Sequence, residues 1–151
     1  MRRKLLTIAA ATALAACASH DAPDGTARYQ SLAAPTPADV ATKITPASDG
    51  QNVTVKKGTK IAVELIGTPT AGYLWKVIMK PDFLDPAGEY GGPTSAAQLE
   101  PGFAGGNHWE AFAFTVTAKG EGELRFEQGR AWEEPSRGDG AAFSVYIIAE
   151  E

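Results

Sequence analysis

Apolar and polar residues alternate with a period of two in short runs between Val53 and Ile148. This period puts successive side chains on opposite faces of a strand, so each run predicts a strand with one face towards a core. Glycine, proline and Lys-Gly pairs separate the runs, and no long window shows a strong period of 3.6. The core-facing positions are Val53 and Val55; Ile61, Val63 and Leu65; Phe112, Phe114 and Val116; Leu124 and Phe126; and Phe143, Val145 and Ile147. The pattern predicts an all-β fold, an immunoglobulin-like antiparallel β-sandwich of about seven or eight strands.

The first residues have the pattern of an export signal. A basic segment, Met1 to Lys4, precedes an apolar run that ends in Leu14-Ala15-Ala16-Cys17. The run is too short to span a bilayer. Small residues directly before a cysteine look like a bacterial lipoprotein signal, cut before Cys17 so that this thiol is lipidated. The alternative is an ordinary signal peptide in which Cys17 is incidental.

These features predict three segments. Residues 1–16 form a lipoprotein signal peptide, residues 17–50 a flexible tether rich in Ala, Pro, Asp, Ser and Thr, and residues 51–151 the folded domain. Ala18, rather than Asp, follows the cysteine, which resembles the pattern sorted to the outer membrane. We therefore expect a lipid-anchored protein of the bacterial cell envelope that contacts the membrane through Cys17. Since Cys17 is the only cysteine, no internal disulfide is expected.

The charge of the chain argues against a nucleic-acid partner. The full sequence has a net charge of −4. Loss of Arg2, Arg3 and Lys4 with the signal leaves 11 basic and 18 acidic residues, a net charge of −7. An acidic domain lacks the basic surface that binds phosphate backbones.

The sequence offers little material for catalysis. Its two histidines are His20 and His108, and neither has a Cys, Asp or His neighbour at metal-ligand spacing. His108 is interpreted as a residue at a strand edge rather than a catalytic base. The glycines before it lead into a strand, not into the helix of a phosphate-binding loop. We therefore predict a protein that is not an enzyme and that needs no metal or other cofactor.

One turn is constrained in a way that suits contact with a partner. It reads Thr68-Pro69-Thr70-Ala71-Gly72-Tyr73, with Trp75 two positions further on. The proline fixes its own φ, and the glycine permits a left-handed backbone or a close approach. The turn has no charged side chain. It is either a tip that enters a partner's cleft or no more than a well-made connection between strands.

Two later segments complete a resemblance to a known family. The first reads Phe103-Ala104-Gly105-Gly106 after Pro101-Gly102, and the second reads Arg130-Ala131-Trp132. With the turn at 68–73, the chain resembles the chagasin-like inhibitors of papain-type cysteine peptidases. That family carries Asn-Pro-Thr-Thr-Gly-Tyr, Gly-x-Gly-Gly and Arg-Pro-Trp loops in the same order. The resemblance covers roughly residues 50–151. This chain departs from the pattern at Thr68 for Asn, Phe103 for Gly and Ala131 for Pro.

The resemblance implies a reversible, tight-binding inhibitor that blocks the cleft of a papain-like cysteine peptidase with three loops at one end of the sandwich. The expected contact residues are Thr68, Pro69, Thr70, Ala71, Gly72 and Tyr73; Phe103, Ala104, Gly105 and Gly106; and Arg130, Ala131 and Trp132. Trp132 is expected to be an exposed anchor, because its charged neighbours make burial awkward. Trp75 is expected to pack on the core, with Tyr73 supporting the base of the first loop.

Two other functions fit the same residues. The first alternative to the inhibitor is a lipid-anchored envelope protein that binds a protein or glycan with the same end and has no peptidase target. A purely structural lipoprotein is the third reading, which the exposed Trp132 disfavours. A monomer is expected in each case.

Overall fold

In the computed structural model, the described residues are 30–130, 132 and 141–151. They form eight strands: β1 (Val40–Ile44), β2 (Asn52–Lys56), β3 (Lys60–Gly67), β4 (Tyr73–Met79), β5 (Leu84–Pro93), β6 (His108–Val116), β7 (Gly120–Arg130) and β8 (Ala142–Glu150). Three short 3-10 turns lie between them in this part of the chain, at Pro46–Ser48, Pro69–Ala71 and Ala96–Leu99. None of its helical segments is long and apolar enough to cross a membrane.

The strands form two four-stranded sheets that pack face to face. One sheet has the order β1-β3-β6-β5 and the other the order β2-β8-β7-β4. The core between them contains the apolar positions predicted from the alternating runs, apart from Val53, which packs against it partly buried. Phe126 of β7 is fully buried, with ring centroids 5.0 Å from Phe112, 6.5 Å from Phe114 and 6.2 Å from Phe143. The predicted all-β sandwich is confirmed.

Strand β1 lies within the stretch that the sequence assigns to the tether. It pairs with β3, and the side chain of Ile44 is 1% exposed in the core. Lys43 forms an ion pair with the buried carboxylate of Glu64 on β3, with 3.1 Å between Nζ and Oε1. The folded part of the chain therefore begins before residue 51. The sequence pattern does not reveal this strand, because Ile44 is its only buried residue.

Three further features differ from the simplest antiparallel sandwich. The edge pairs β1–β3 and β2–β8 are parallel, whereas the other four pairs are antiparallel. Strand β5 is an edge strand that contains Pro86 and four more glycine or proline residues in ten positions, so it has no alternating signal. The register with β6 shifts between Pro86 and Gly88. Proline is tolerated there because an edge strand with a bulge does not need every backbone donor.

Candidate functional site

The strand register brings three connections to the same end of the sandwich. Gly67 at the end of β3 is opposite His108 at the start of β6, which is also opposite Pro93 at the end of β5. Tyr73 at the start of β4 is opposite Arg130 at the end of β7. We call residues 68–72 loop 1 and residues 94–107 loop 2. Loop 3 denotes Arg130 and Trp132, which the structure describes where β7 ends, and this end of the molecule is the loop end.

Loop 1 is a closed turn held by its own backbone. Thr68 and Tyr73 bond to each other in both directions, with N–H to O distances of 3.1 and 3.3 Å. Within the turn, Ala71 N–H donates to the Thr68 carbonyl at 3.0 Å and Gly72 N–H to the Pro69 carbonyl at 2.9 Å. Gly72 has a φ of 81°, in the left-handed region where a Cβ atom is unfavourable. The tip of loop 1 is therefore narrow and stiff.

Loop 3 rests on loop 1 through Arg130 and Trp132. Arg130 Nε donates to the Ala71 carbonyl at 3.0 Å. Its guanidinium lies 4.5 Å from the ring centroid of Tyr73 and 5.9 Å from that of Trp132. A Cβ atom on Gly72 would lie 2.5 Å from Cη2 of Trp132, so the indole occupies the space that a side chain there would need. Trp132 is nevertheless 72% exposed, as expected for an anchor rather than a core residue.

Loop 2 is organised by the side chain of Gln98. Its Oε1 accepts the backbone N–H groups of Thr94 at 2.6 Å and Ser95 at 3.0 Å, and its Nε2 donates to the Asn107 carbonyl at 2.8 Å. Thr68 Oγ1 donates to Asn107 Oδ1 at 3.3 Å, which links loop 1 to loop 2. Sequence reasoning did not single out Gln98 or Asn107, because neither belongs to the family's loop motifs.

The predicted contact residues of loop 2 lie at its exposed tip. Gly105 and Gly106 have φ values of 86° and 95°, so glycine is favoured at both positions. Phe103 is 46% exposed. A Cβ atom on Gly106 would lie 3.5 Å from Cε1 of Phe103, so this ring packs on the loop's own backbone.

Trp75 has the role predicted for it, but the alternation of buried and exposed residues does not continue to the end of β4. Trp75 packs partly buried against the core, and its Nε1 donates to the Ile66 carbonyl at 2.9 Å. Strand alternation would put Val77 and Met79 on the same face as Tyr73 and Trp75. The register with β7 shifts between them, and both are exposed. The alternation in burial is therefore lost at the end of β4, which is an edge strand of its sheet.

A carboxyl group that the sequence analysis did not single out lies beneath loop 1. Glu110 Oε2 accepts the backbone N–H of Trp75 at 2.9 Å. Its Oε1 is buried and finds no hydrogen-bond donor among the described residues. Burial raises the pKa of Glu110 above its ordinary value, the nearby Glu89 raises it further, and the Trp75 N–H and His108 oppose the change. The sequence does carry a signal for this residue. Glu110 lies in step with the alternating core-facing residues of β6, where an apolar side chain would be expected.

The described residues of the loop end offer no cluster of metal ligands. In residues 30–130, 132 and 141–151, no three His, Cys, Asp or Glu side chains come together as metal ligands would. His108 is the first residue of β6 and is half-buried between the ends of β3 and β5. The arrangement suits contact through backbone and aromatic groups.

Comparison with known proteins identifies the family. The model of the chagasin family peptidase inhibitor I42 matches residues 54–147. The chain belongs to the chagasin family. The resemblance drawn from the three loop motifs is thereby confirmed, and membership places the chain among inhibitors rather than enzymes. No curated protein matches the sequence.

Solved structures of other proteins show the same fold. The cysteine protease inhibitor EhICP2 from Entamoeba histolytica superposes with a TM-score of 0.60 at 15% identity, over 72% of this chain and 95% of that one. Amebosin superposes with a TM-score of 0.52 at 24% identity, over 72% of this chain and 97% of that one. At these identities the likeness concerns the fold.

In this chagasin-family chain, the structure joins the predicted site residues unequally. Thr68, Ala71, Gly72 and Tyr73 contact one another or loop 3, and Thr68 also contacts loop 2 through Asn107. Phe103, Ala104, Gly105 and Gly106 lie in loop 2. Two predicted residues, Cys17 and Ala131, lie outside the described residues, as does the whole predicted signal peptide.

Proposed function

We propose that this chain is a reversible, tight-binding inhibitor of papain-like cysteine peptidases, and that loops 1, 2 and 3 enter the active-site cleft together. Membership of the chagasin family and the three loops at one end of the sandwich support this function. The proposed inhibition is non-covalent, and the sequence of loops 1 and 2 holds no cysteine.

The chemistry of the target explains the composition of loop 1. A papain-like cleft holds a thiolate beside an imidazolium, and substrates reach it through a carbonyl presented for attack. Thr70, Ala71 and Gly72 are small enough for the loop backbone to approach the thiolate closely. The 3-10 turn bonds this backbone to itself, so no peptide bond of the turn is extended for attack.

One observation carries the proposal: loops 1 and 3 are assembled before any partner binds. Arg130 is bonded to Ala71, and Trp132 lies over Gly72 while 72% of its surface remains exposed. An edge that is already ordered loses little conformational entropy on binding, so more of the contact energy appears as affinity. Trp and Arg are also the side chains that most often dominate an interface.

Titration of the purified protein into a panel of papain-like peptidases tests this function. We expect inhibition that saturates at one inhibitor per active site and is reversed by dilution. Trypsin, a serine peptidase, is the control and should remain active. The proposal would be contradicted if the protein inhibited none of the papain-like peptidases. Steady cleavage of loop 1 as a substrate would contradict it as well.

We also propose that the protein acts as a monomer held at the cell envelope by a lipid on Cys17, with the outer membrane as its place. The support is the order of basic, apolar and small residues before Cys17. An anchor would keep the loop end near the membrane surface.

A further inference from the structure

Glu110 occupies a position where the core pattern calls for an apolar side chain. Phe112, Phe114 and Val116 of β6 point into the core, and Glu110 continues the same row by one more step towards the loop end. A cavity of about 260 Å³ opens beside it, lined by Trp75, Tyr90 and Glu89 among others. A carboxyl group at such a position costs desolvation energy unless its contacts offset the cost.

The contacts of Glu110 involve the two stems of loop 1. On the β4 stem, Oε2 accepts the N–H of Trp75 at 2.9 Å. On the β3 stem, Oε1 lies 1.6 Å from the point that a Cβ atom of Gly67 would occupy. The carboxyl group therefore fills the space left by the missing side chain of Gly67. Loop 1 begins at one of these stems and ends at the other.

We propose that Glu110 is a positioning residue of the loop end, which holds the two stems of loop 1 together and holds them more firmly when its carboxyl group is protonated. The inference rests on the proposed function, since loop 1 is the part assigned to the peptidase cleft. Glu110 itself lies beneath the loop and touches no peptidase.

The geometry around Oε1 gives the reason for the effect of the proton. This atom is buried with no donor in residues 30–130, 132 and 141–151, and the carbonyl oxygen of Tyr73 lies 3.3 Å from the same Gly67 Cβ point. In this proposal a protonated Oε1 donates to that carbonyl, while Oε2 keeps the Trp75 N–H. The neutral group then bonds to β4 at two places, and the ionised group at only one.

The charges facing Glu110 come from its own and neighbouring strands. Burial has the largest effect and raises the pKa of Glu110. The Trp75 N–H on β4 lowers this pKa, Glu89 on β5 raises it, and His108 on β6 lowers it. A folded-state pKa above the ordinary 4.5 means that the folded protein binds this proton more tightly than the unfolded chain does. Glu110 therefore opposes folding above its folded-state pKa, and this opposition is relieved as the pH falls through that value.

Nuclear magnetic resonance of the free protein tests the proposal without a peptidase. The backbone amide signals of Thr68, Gly72 and Tyr73 are followed from about pH 4 to about pH 8, a range that brackets a raised carboxyl pKa. In the wild type we expect them to titrate with a midpoint above 4.5. Glu110→Gln should abolish that titration, because its amide donates at every pH. Loop signals that titrate alike in the wild type and in Glu110→Gln would overturn the proposal.

Glu89→Gln is the matched control, since Glu89 lines the same cavity and lies on β5, which is not a stem of loop 1. Removal of its charge should lower the midpoint but leave the titration in place. If the titration disappeared in Glu89→Gln and persisted in Glu110→Gln, the titrating group would be Glu89, and the proposal for Glu110 would be overturned.

Affinity for papain gives the second measurement. Glu110→Gln should bind more tightly than the wild type at neutral pH, and the difference should vanish in acid. Glu110→Ala should bind about tenfold more weakly, the effect of losing a hydrogen bond to a charged group. If Glu110→Ala fails to fold, the affinity of Glu110→Gln still tests the role of the Glu110 carboxyl group. Equal affinity of Glu110→Gln and the wild type at every pH would overturn the proposal.

A wild type that does not inhibit papain or its relatives would refute the proposed function. The nuclear magnetic resonance measurement would then test the role of Glu110 by itself.

Discussion

At the scale of single residues, the loop end combines a large exposed side chain, that of Trp132, with a glycine, Gly72. Trp132 leaves 72% of its surface in solvent, so it adds little to the stability of the free protein. Gly72 has no side chain, and the indole of Trp132 uses the space. A contact of this kind is useful chiefly to a partner, because the exposed ring is the area that binding would bury.

Trp132→Ala should weaken inhibition by about 2 kcal/mol or more, the scale of an aromatic hot spot, mainly through faster dissociation. The melting temperature should change little, since the side chain is exposed. Tyr146→Ala removes another exposed aromatic ring, on β8 away from the loop end, and should leave inhibition unchanged. Inhibition constants and melting temperatures of both variants check this. A large fall in melting temperature for Trp132→Ala would show that the ring supports the fold.

Gly72→Ala should lower both stability and inhibition. A left-handed backbone costs an L-residue about 1–2 kcal/mol, and the new Cβ would also displace the indole of Trp132. Gly58→Ala is the matched control, because Gly58 has the same φ of 81° in the β2–β3 turn, with open space around it. Thermal unfolding should show a similar loss from backbone strain in both variants, and inhibition should fall only in Gly72→Ala. Equal inhibition by the two would separate loop 1 from the binding site.

At the scale of elements, the edge strands show how the sandwich is completed. Strand β1 covers the outer edge of β3, and β5 covers the outer edge of β6. Backbone hydrogen bonds hold both in place, so neither needs a strong apolar pattern. The consequence for the site is direct, since β3, β5 and β6 carry the ends of loops 1 and 2.

Ile44→Ala should therefore destabilise the protein by about 2–4 kcal/mol, because it removes a fully buried side chain that connects β1 to the core. Ile78→Ala changes the same residue type where it is 49% exposed on β4 and should cost much less. Denaturant unfolding of both variants measures the difference. If the two cost the same small amount, β1 would be dispensable and the domain would begin near residue 51.

At the scale of the whole molecule, the proposed lipid anchor would localise the protein, and the acidic domain would recognise its target. The domain has its loop end at one pole of the sandwich, where β3, β4, β6 and β7 begin or end. A tether from a lipidated Cys17 would allow this pole to reach a peptidase near the membrane.

Cys17→Ser should release the protein into the soluble fraction of cells that make lipoproteins, because serine lacks the thiol that accepts the lipid. The wild type should partition into detergent, and its mature N-terminal peptide should carry the lipid mass. Inhibition by the purified variant should be unaffected. An unmodified Cys17, or a mature chain that starts elsewhere, would contradict the lipid anchor.

The local pattern of the sequence was sufficient for much of this protein. The period of two at Phe112, Phe114 and Val116 predicts a strand and its buried face, because side-chain alternation is a property of a strand alone. The glycine and proline positions of loop 1 likewise predict a constrained turn, since φ restrictions belong to single residues. The order of the three loop motifs was specific enough to indicate the family.

Other features were decided only when distant segments packed together. Strands β1 and β5 are held by pairing with the backbone groups of β3 and β6. Backbone groups are the same in every residue, so this pairing leaves no pattern in the sequence. The contact of Trp132 with Gly72 and that of Glu110 with Gly67 join residues far apart in the chain. Each depends on the register of whole strands, so the loop motifs predict which residues form the site, and the tertiary structure decides what holds them together.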